Sequence, residues 1–458
     1  MHINKYLLKM SLNKVKHPLK LLKYFVFNTD WGQKEGYEHE KMIYFYSKTP
    51  TEEDEQVSDI GLAEAVINFA QQFGDIAESL HGSKLRYTVY RLENNIWSAL
   101  CVSEPFSVRR STDDSTQFIE YHDQEVCSRF LSLKLENIAN YFRLLNGPIG
   151  LLADKLPKSE FISKCCAFFD YYVPHLEMLP FNLIELFGSI QYLPLNNTTF
   201  MNVQSLLNCV QSLDSEVIKS FLFLYNEQLV TSSMSLEDTK ILYNYITNLI
   251  IPDAVKEEIN GIAHKTRWIQ NDTKIYLAQE KSFRSLCLFR SVNGSTIALI
   301  LEHYDPKILS DCEALLSSKL VNLTTKLQEN VQQLSRNITD SRTSSSSSSS
   351  SSSENIRFVY INQTNAAQRS TDNCRKLIDC DFTRLILDIE SDLVQYGNDS
   401  NVFELIGKNT SDTWMVMKNT DLRTLFVILN HKNSNLIEAN DAVEQLRKKH
   451  LNSVFFGV

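Results

Sequence analysis

The residue types that do chemistry are all present in this chain of 458 residues, but not at the spacings chemistry needs. Ten histidines are scattered, and none sits at the H-x-x-x-H spacing that puts two imidazoles on one helix face for a metal. His39 and Glu40 are adjacent, which does not turn both side chains toward one ion. There is no G-x-x-x-x-G-K-[ST] loop and no G-x-G-x-x-G after a strand, so no backbone cradle for phosphate can be read. The nearest glycine cluster, Asn146–Gly150, follows a helical pattern and contains Pro148, which makes it a helix stop followed by a turn. No G-x-S-x-G elbow occurs, and a Ser-His-Asp triad, meeting only in space, leaves no spacing to find. The expectation is a protein with no catalytic, cofactor or metal residues, one that acts by binding.

Two segments carry the residues that binding would use. Leu22–Phe27 and Met42–Tyr46 are aromatic and apolar at nearly every position, as strands covered on both faces are. The segment between them carries Trp31, Gly32, Glu35, Gly36 and Tyr37, and is too long for a tight hairpin turn. Trp31, Glu35, Gly36 and Tyr37 either form an apolar plug folded back on the strands or the edge of a partner surface. Ser58–Gly74 then reads as an apolar helix. At 100° per residue, Ile60, Ala63, Ile67 and Ala70 fall on one stripe. Leu62, Val66, Phe69 and Phe73 fall on a second, with Ala65 beside it. Together the apolar arc spans roughly 200°, against the ~100° that packing on one sheet requires. One stripe must therefore face something other than its own sheet, either another domain of the same chain or a partner, and the wheel does not say which stripe it is.

The elements that position these residues read as three similar units. The first, 18–146, holds the strand pair, the helix, strands at Leu85–Leu92 and Ile96–Val102, an acidic loop at Ser111–Glu120 and a helix over Gln124–Leu145. The second, 147–260, holds helices at Phe161–Tyr172, Thr199–Leu213 and Glu237–Ile251, the last stopped by Pro252, with strands at Gly188–Leu193 and Phe221–Val230. The third, 261–458, opens with a hairpin, Phe283–Arg290 and Thr296–Leu301, about the Asn293-Gly294 turn signal. A long helix over Pro306–Leu334 follows, then strands at Ile356–Asn362, Thr413–Met417 and Leu425–Leu429, and a terminal helix from near Asn435 or Asn440. Periodicity alone gives a multi-domain α/β protein.

Composition bounds the rest. An apolar fraction of 43% suits globular domains, and a net charge of −9 argues against a nucleic-acid binder, which carries a basic domain. No apolar run approaches the ~20 residues that span a bilayer, and no signal-peptide core opens the chain. Nine cysteines, an odd number without a C-x-x-C pair, read as free thiols in a reducing compartment. Residues 1–17 form a basic leader with no acidic residue. It is read as disordered, with Ile3, Tyr6, Leu7 and Met10 at the spacing of a short helix on an anionic membrane. The serine run Ser344–Ser353 has no apolar surface to offset its chain entropy, and 341–354 reads as a disordered loop.

Five stretches, met in order, resemble one family. FVFN followed by G..EG.E..KMIYFY and DIGLAEAVINFAQQF stand at the start, and ELFGSIQYLPLN (Glu185–Asn196) and FLFLYNEQLV (Phe221–Val230) in the middle. FVYINQTNAAQRST (Phe358–Thr371) and TLFVILNHKNSNLIEANDAV (Thr424–Val443) stand near the end. They are similar to the Ccz (calcium-caffeine-zinc sensitivity) family, whose members pair with a Mon subunit. The resemblance implies an α/β fold of three tandem longin-type domains, each a central antiparallel sheet flanked by helices. It implies a guanine-nucleotide exchange factor for the late-endosomal Rab-seven GTPase, cytoplasmic and recruited peripherally to endosomal and lysosomal membranes through anionic lipid or phosphoinositide. A third, larger subunit is implied for metazoan complexes. The platform would include Trp31, Glu35, Gly36, Tyr37 and the two helix stripes. One departure stands out: Thr231 follows YNEQLV where the family pattern has an aromatic, which weakens any contact carried over to that edge. The rival expectations are an exchange subunit for a different Rab and a longin adaptor that tethers Rab or phosphoinositide without exchange.

Overall fold

A computed structural model describes residues 14–74, 79–110, 117–122, 126, 128–176, 184, 187–261, 266–291, 294–343, 356–370, 402–408, 413–420, 422–429 and 435–450. The chain divides into two compact units, Met1–Phe181 and Asn182–Val458. The helical stripe of the leader and the serine run at 344–353 lie outside the described residues.

The first unit runs β1 (Lys14–His17), β2 (Lys20–Asn28), β3 (Met42–Ser47), α1 (Glu53–Gln72), β4 (Ser79–His81), β5 (Leu85–Glu93), β6 (Ile96–Ser103), β7 (Phe106–Arg110) and β8 (Gln117–Tyr121). Helices α2 (Ser128–Asn146), α3 (Ile149–Lys155) and α4 (Lys158–Tyr172) complete it. Its main sheet is ordered β3-β2-β6-β5-β4, antiparallel throughout. Tyr24 to Phe27 of β2 are wholly buried, because this strand is covered on both faces. Phe25 and Phe27 join Trp97 and Ala99 under Ile60, Ala63 and Ile67 of α1. The alternate residue Tyr24 turns the other way, its ring 5.5 Å from Phe169 of α4, which stacks 5.6 Å from Phe142 of α2. α4 thus packs in the first unit, although its sequence position placed it in the second domain: the face opposite α1 needs two helices to cover it.

Two further differences arise at the edges of this unit. Lys14–His17, expected inside a disordered leader, forms β1 and pairs antiparallel with β7. Gln117–Tyr121, expected inside an acidic loop, forms β8 on the other side of β7. α1 starts at Glu53, about a turn before the expected Ser58, because Glu53, Asp54 and Glu55 sit favourably at the positive end of the helix dipole. Within the same unit a buried ion pair ties three elements together. Arg86 of β5 donates from Nε to Glu104 Oε1 at 2.9 Å and from Nη1 to the Val126 carbonyl at 2.7 Å, just before α2.

The second unit begins with β9 (Ile190–Gln191), α5 (Asn197–Gln211), β10 (Ile218–Tyr225), β11 (Gln228–Ser232), α6 (Leu236–Tyr245) and α7 (Ile251–Ile259). It continues through β12 (Arg267–Leu277), β13 (Ser282–Arg290), β14 (Ser295–Leu301), α8 (Pro306–Thr343), β15 (Ile356–Asn362), β16 (Ala367–Ser370), β17 (Val402–Lys408), β18 (Trp414–Thr420), β19 (Arg423–Leu429) and α9 (Leu436–His450). One sheet is ordered β11-β10-β14-β13-β12. The expected domain boundary at 260 falls inside it, so the hairpin assigned to the third domain hydrogen-bonds to β10 instead. α5 and α8 cover one face, through Val203, Leu207, Val210, Cys312, Leu316 and Leu320. Phe221–Val230, read as one strand, is a hairpin. Asn226 and Glu227 both adopt positive φ, as a two-residue turn between twisted strands demands. β12 escaped the sequence reading because two bulges and Asp272 at φ +58° break its alternation. Thr231, the departure from the family pattern, uses its hydroxyl to accept from Gln204 Nε2 at 3.2 Å. Pro252 does not stop its helix: a π-helical turn over Ile246–Ile250 widens the helix where the proline removes a donor, and α7 runs on to Ile259.

The other sheet is ordered β17-β18-β19-β15-β16-β9, with Ala439, Val443 and Leu446 of α9 packed on it. β9 joins it in parallel. Ile190 N donates to the Ala366 carbonyl and Leu193 N to the Leu229 carbonyl, so one short segment stitches the edges of both sheets. The first residues of the expected serine loop, 341–343, complete α8. Among the described residues no helix is long and apolar enough to cross a membrane, and no cluster of His, Cys, Asp or Glu is arranged to hold a metal.

Candidate functional site

α1 separates the two stripes that the sequence left equivalent. Ile60, Ala63 and Ile67 are buried on the sheet, with Val66 and Ala70 half-buried at the flanks. Leu62, Phe69 and Phe73 point outward, 42%, 65% and 73% exposed. The Phe69 and Phe73 rings lie 5.0 Å apart and rest on each other. Scattered exposed apolar residues are ordinary, but a stripe along one helix is not.

Polar anchors fix the helix in this rotation. Asp59, buried on α1, accepts from Lys23 Nζ of β2 at 2.6 Å and from the Tyr87 hydroxyl of β5 at 3.0 Å. Glu64 accepts from Lys41 Nζ at 2.6 Å, just before β3. Burial alone would lower the Lys23 pKa, but the Asp59 carboxylate, with Glu55 behind it, holds it above the ordinary lysine value. Tyr87 is pushed well up, first by burial, then by Cys101 and Asp59. Cys101 is itself raised to about 11, chiefly by burial. Lys23, Tyr87 and Cys101, all shifted upward, keep their ordinary charge states at neutral pH, and the arrangement works as a structural clamp.

The loop between β2 and β3 resolves the second set of candidates. Trp31 folds back: its ring meets Phe161 of α4 edge-on at 6.2 Å, and Lys158 Nζ lies 4.5 Å above it. Lys158 also reaches Glu40 at 3.3 Å. Trp31 therefore serves as the plug. Glu35 and Gly36 are exposed, and Tyr37 is exposed with its ring stacked on His39. The loop is pinned to α1 through Lys41 and to α4 through Lys158, so Tyr37 is presented on an ordered frame. Gly32 and Gly36 both have positive φ, but only at Gly32 would a Cβ run into the Tyr37 carbonyl oxygen. Gly36→Ala is expected to cost about 1 kcal/mol for the left-handed conformation alone, and Gly32→Ala clearly more. Urea denaturation of the two variants measures the difference.

Sequence reasoning missed Asp59, Lys23, Tyr87 and Lys158. A carboxylate flanking an apolar stripe was the one available signal. An open groove of about 570 Å³ runs along α5, lined by Met201, Gln204, Ser205, Asn208, Cys209, Ser212 and Leu213. It is one helix face without convergent polar groups, which is not how small-molecule sites are built.

Comparison with known proteins agrees with this architecture. Residues 21–147 match the family described as the first longin domain of INTU, CCZ1 and HPS4. Residues 218–368 match Intu longin-like domain 2, and residues 352–446 match Intu longin-like domain 3. The chain is 32% identical to the vacuolar fusion protein CCZ1 homolog of Nematostella vectensis, over 95% of this chain and 98% of the relative. The homolog from Xenopus laevis is 30% identical over 95% of this chain and 97% of its own length. The Dictyostelium discoideum homolog is 27% identical over 95% and 98%.

Proposed function

The chain belongs to the family of vacuolar fusion protein CCZ1 homologs, and from that membership we propose that it is one subunit of a guanine-nucleotide exchange factor. With a Mon subunit it activates the late-endosomal Rab-seven GTPase. It thereby drives early-to-late endosome maturation, fusion with lysosome or vacuole, and clearance of autophagosomes. The observation that carries the proposal is the outward stripe of α1. A folded longin domain leaves Leu62, Phe69 and Phe73 uncovered beside a pre-ordered loop bearing Tyr37, which fits an obligate partner better than solvent. Exchange needs no titratable groups. It works by binding the GTPase in a state whose magnesium and phosphate contacts are broken, and nucleotide re-entry reverses it. The second and third longin domains scaffold the complex. It acts from the cytoplasm, held peripherally on endosomal and lysosomal membranes by anionic or phosphoinositide lipid, with a third subunit in metazoans.

GDP release from loaded Rab-seven, followed with the purified two-subunit complex and with this chain alone, tests the proposal. The complex is expected to stimulate release and the isolated chain to do little, because the platform needs both subunits. Stimulation by neither overturns the exchange reading and leaves a tethering adaptor. Because the matched longin family also groups INTU and HPS4, the same assay across Rab proteins checks the choice of GTPase.

A further inference from the structure

The rotation of α1 is not the one that apolar burial favours. The buried stripe offers Ile60, Ala63, Ile67 and a half-buried Ala70 to the sheet, while the outward stripe holds the larger Leu62, Phe69 and Phe73. Area removed from water would by itself put the larger stripe inside. A 20-residue helix with two apolar faces is therefore a helix with two available rotations, and something else must choose.

The carboxylates flanking the small stripe make the short contacts between the helix and the sheet side, with the exposed Glu55 adding a longer one to Lys23 at 3.5 Å. Asp59 takes Lys23 from β2 and Tyr87 from β5, strands separated by β6, and Glu64 takes Lys41 on the way into β3. Both pairs are largely withdrawn from water, with Asp59 and Lys23 side chains 10% and 16% exposed. Turning the larger stripe inward would carry both carboxylates away from these partners and cost the half-buried Tyr87 hydroxyl and the Lys23 ammonium their contact with Asp59.

We infer that Asp59, supported by Glu64, is the positioning residue that selects which face of α1 the first longin domain presents. The identity of what docks there rests on the exchange-factor reading; the rotation of the helix does not. The selection trades apolar area for a defined outward face, so that Phe69 and Phe73 are already in place when a partner arrives.

The test uses the full chain with a cysteine at position 69 or 67 and a maleimide probe, labelled peptides being assigned by mass spectrometry so that native thiols do not interfere. In the parent, Phe69→Cys is expected to label at least about tenfold faster than Ile67→Cys, since a buried position reacts only on opening. Adding Asp59→Leu with Glu64→Leu should drive that ratio toward one or invert it. Asp59→Asn with Glu64→Gln, which keeps the shape and an acceptor, should preserve it. An unchanged ratio in the leucine pair overturns the inference. If the leucine pair does not fold, Asp59→Ala alone is read in the same way, and an unchanged ratio there overturns it equally. Co-purification with the Mon subunit separates the two levels: it should fall in step with the ratio. A collapsed ratio with intact co-purification supports the rotation and overturns the exchange interface.

Discussion

Ile67→Asp is expected to unfold the first longin domain, whereas Phe69→Asp leaves it folded and abolishes assembly with the Mon subunit. The two positions are neighbours on one helix, but Ile67 is 2% exposed among Phe25, Phe27, Val89 and Trp97, while Phe69 faces water. An unpaired carboxylate at position 67 loses the packing of an isoleucine and adds a desolvation cost, together several kcal/mol. That is a large part of the ~5–15 kcal/mol by which a domain is stable. At position 69 the free chain should change by no more than about 0.5 kcal/mol, the usual range for surface substitutions. Against a desolvated partner surface the same carboxylate costs several kcal/mol, which removes binding. Thermal unfolding of the free chain and co-purification with the partner read the two effects separately. Normal assembly and exchange by Phe69→Asp would take α1 out of the interface.

The second large effect concerns Arg86 and Glu104. Both side chains are almost wholly buried, so removing either partner breaks a charge pair in a poorly solvating interior. Arg86→Met or Glu104→Leu is expected to cost about 3–5 kcal/mol each, and the double variant much less than their sum. Recovery stays incomplete, because Arg86 also satisfies the Val126 carbonyl on the way into α2. Urea denaturation of the two single variants and the pair closes the cycle. Additive losses would show that the two residues act independently and that the pair is not the unit holding β5 to the end of β6.

Much of the first domain was legible because local pattern and final environment agree there. The apolar run through Tyr24–Phe27 required cover on both faces, and α1 with α2 and α4 provides it. The two stripes of α1 and the excess apolar arc also followed from residue order alone, since helix geometry fixes which side chains share a face. Ordered motifs along the chain carried the family resemblance.

Only the tertiary structure decided which stripe faces out, and the reason is physical. Periodicity counts apolar faces without naming their neighbours, and by size the larger stripe would have been placed inside. The outcome turns on Asp59 meeting Lys23 and Tyr87, 36 and 28 residues away in the chain, which no local window contains. The same holds for sheet membership. β14 follows the expected boundary at 260 yet pairs with β10 before it, bringing β13 into the same sheet, and α4 closes a sheet whose strands precede it by more than a helix. Hydrogen bonds between strands and cover over a sheet face are satisfied by whichever element reaches them in space, and sequence order does not specify that.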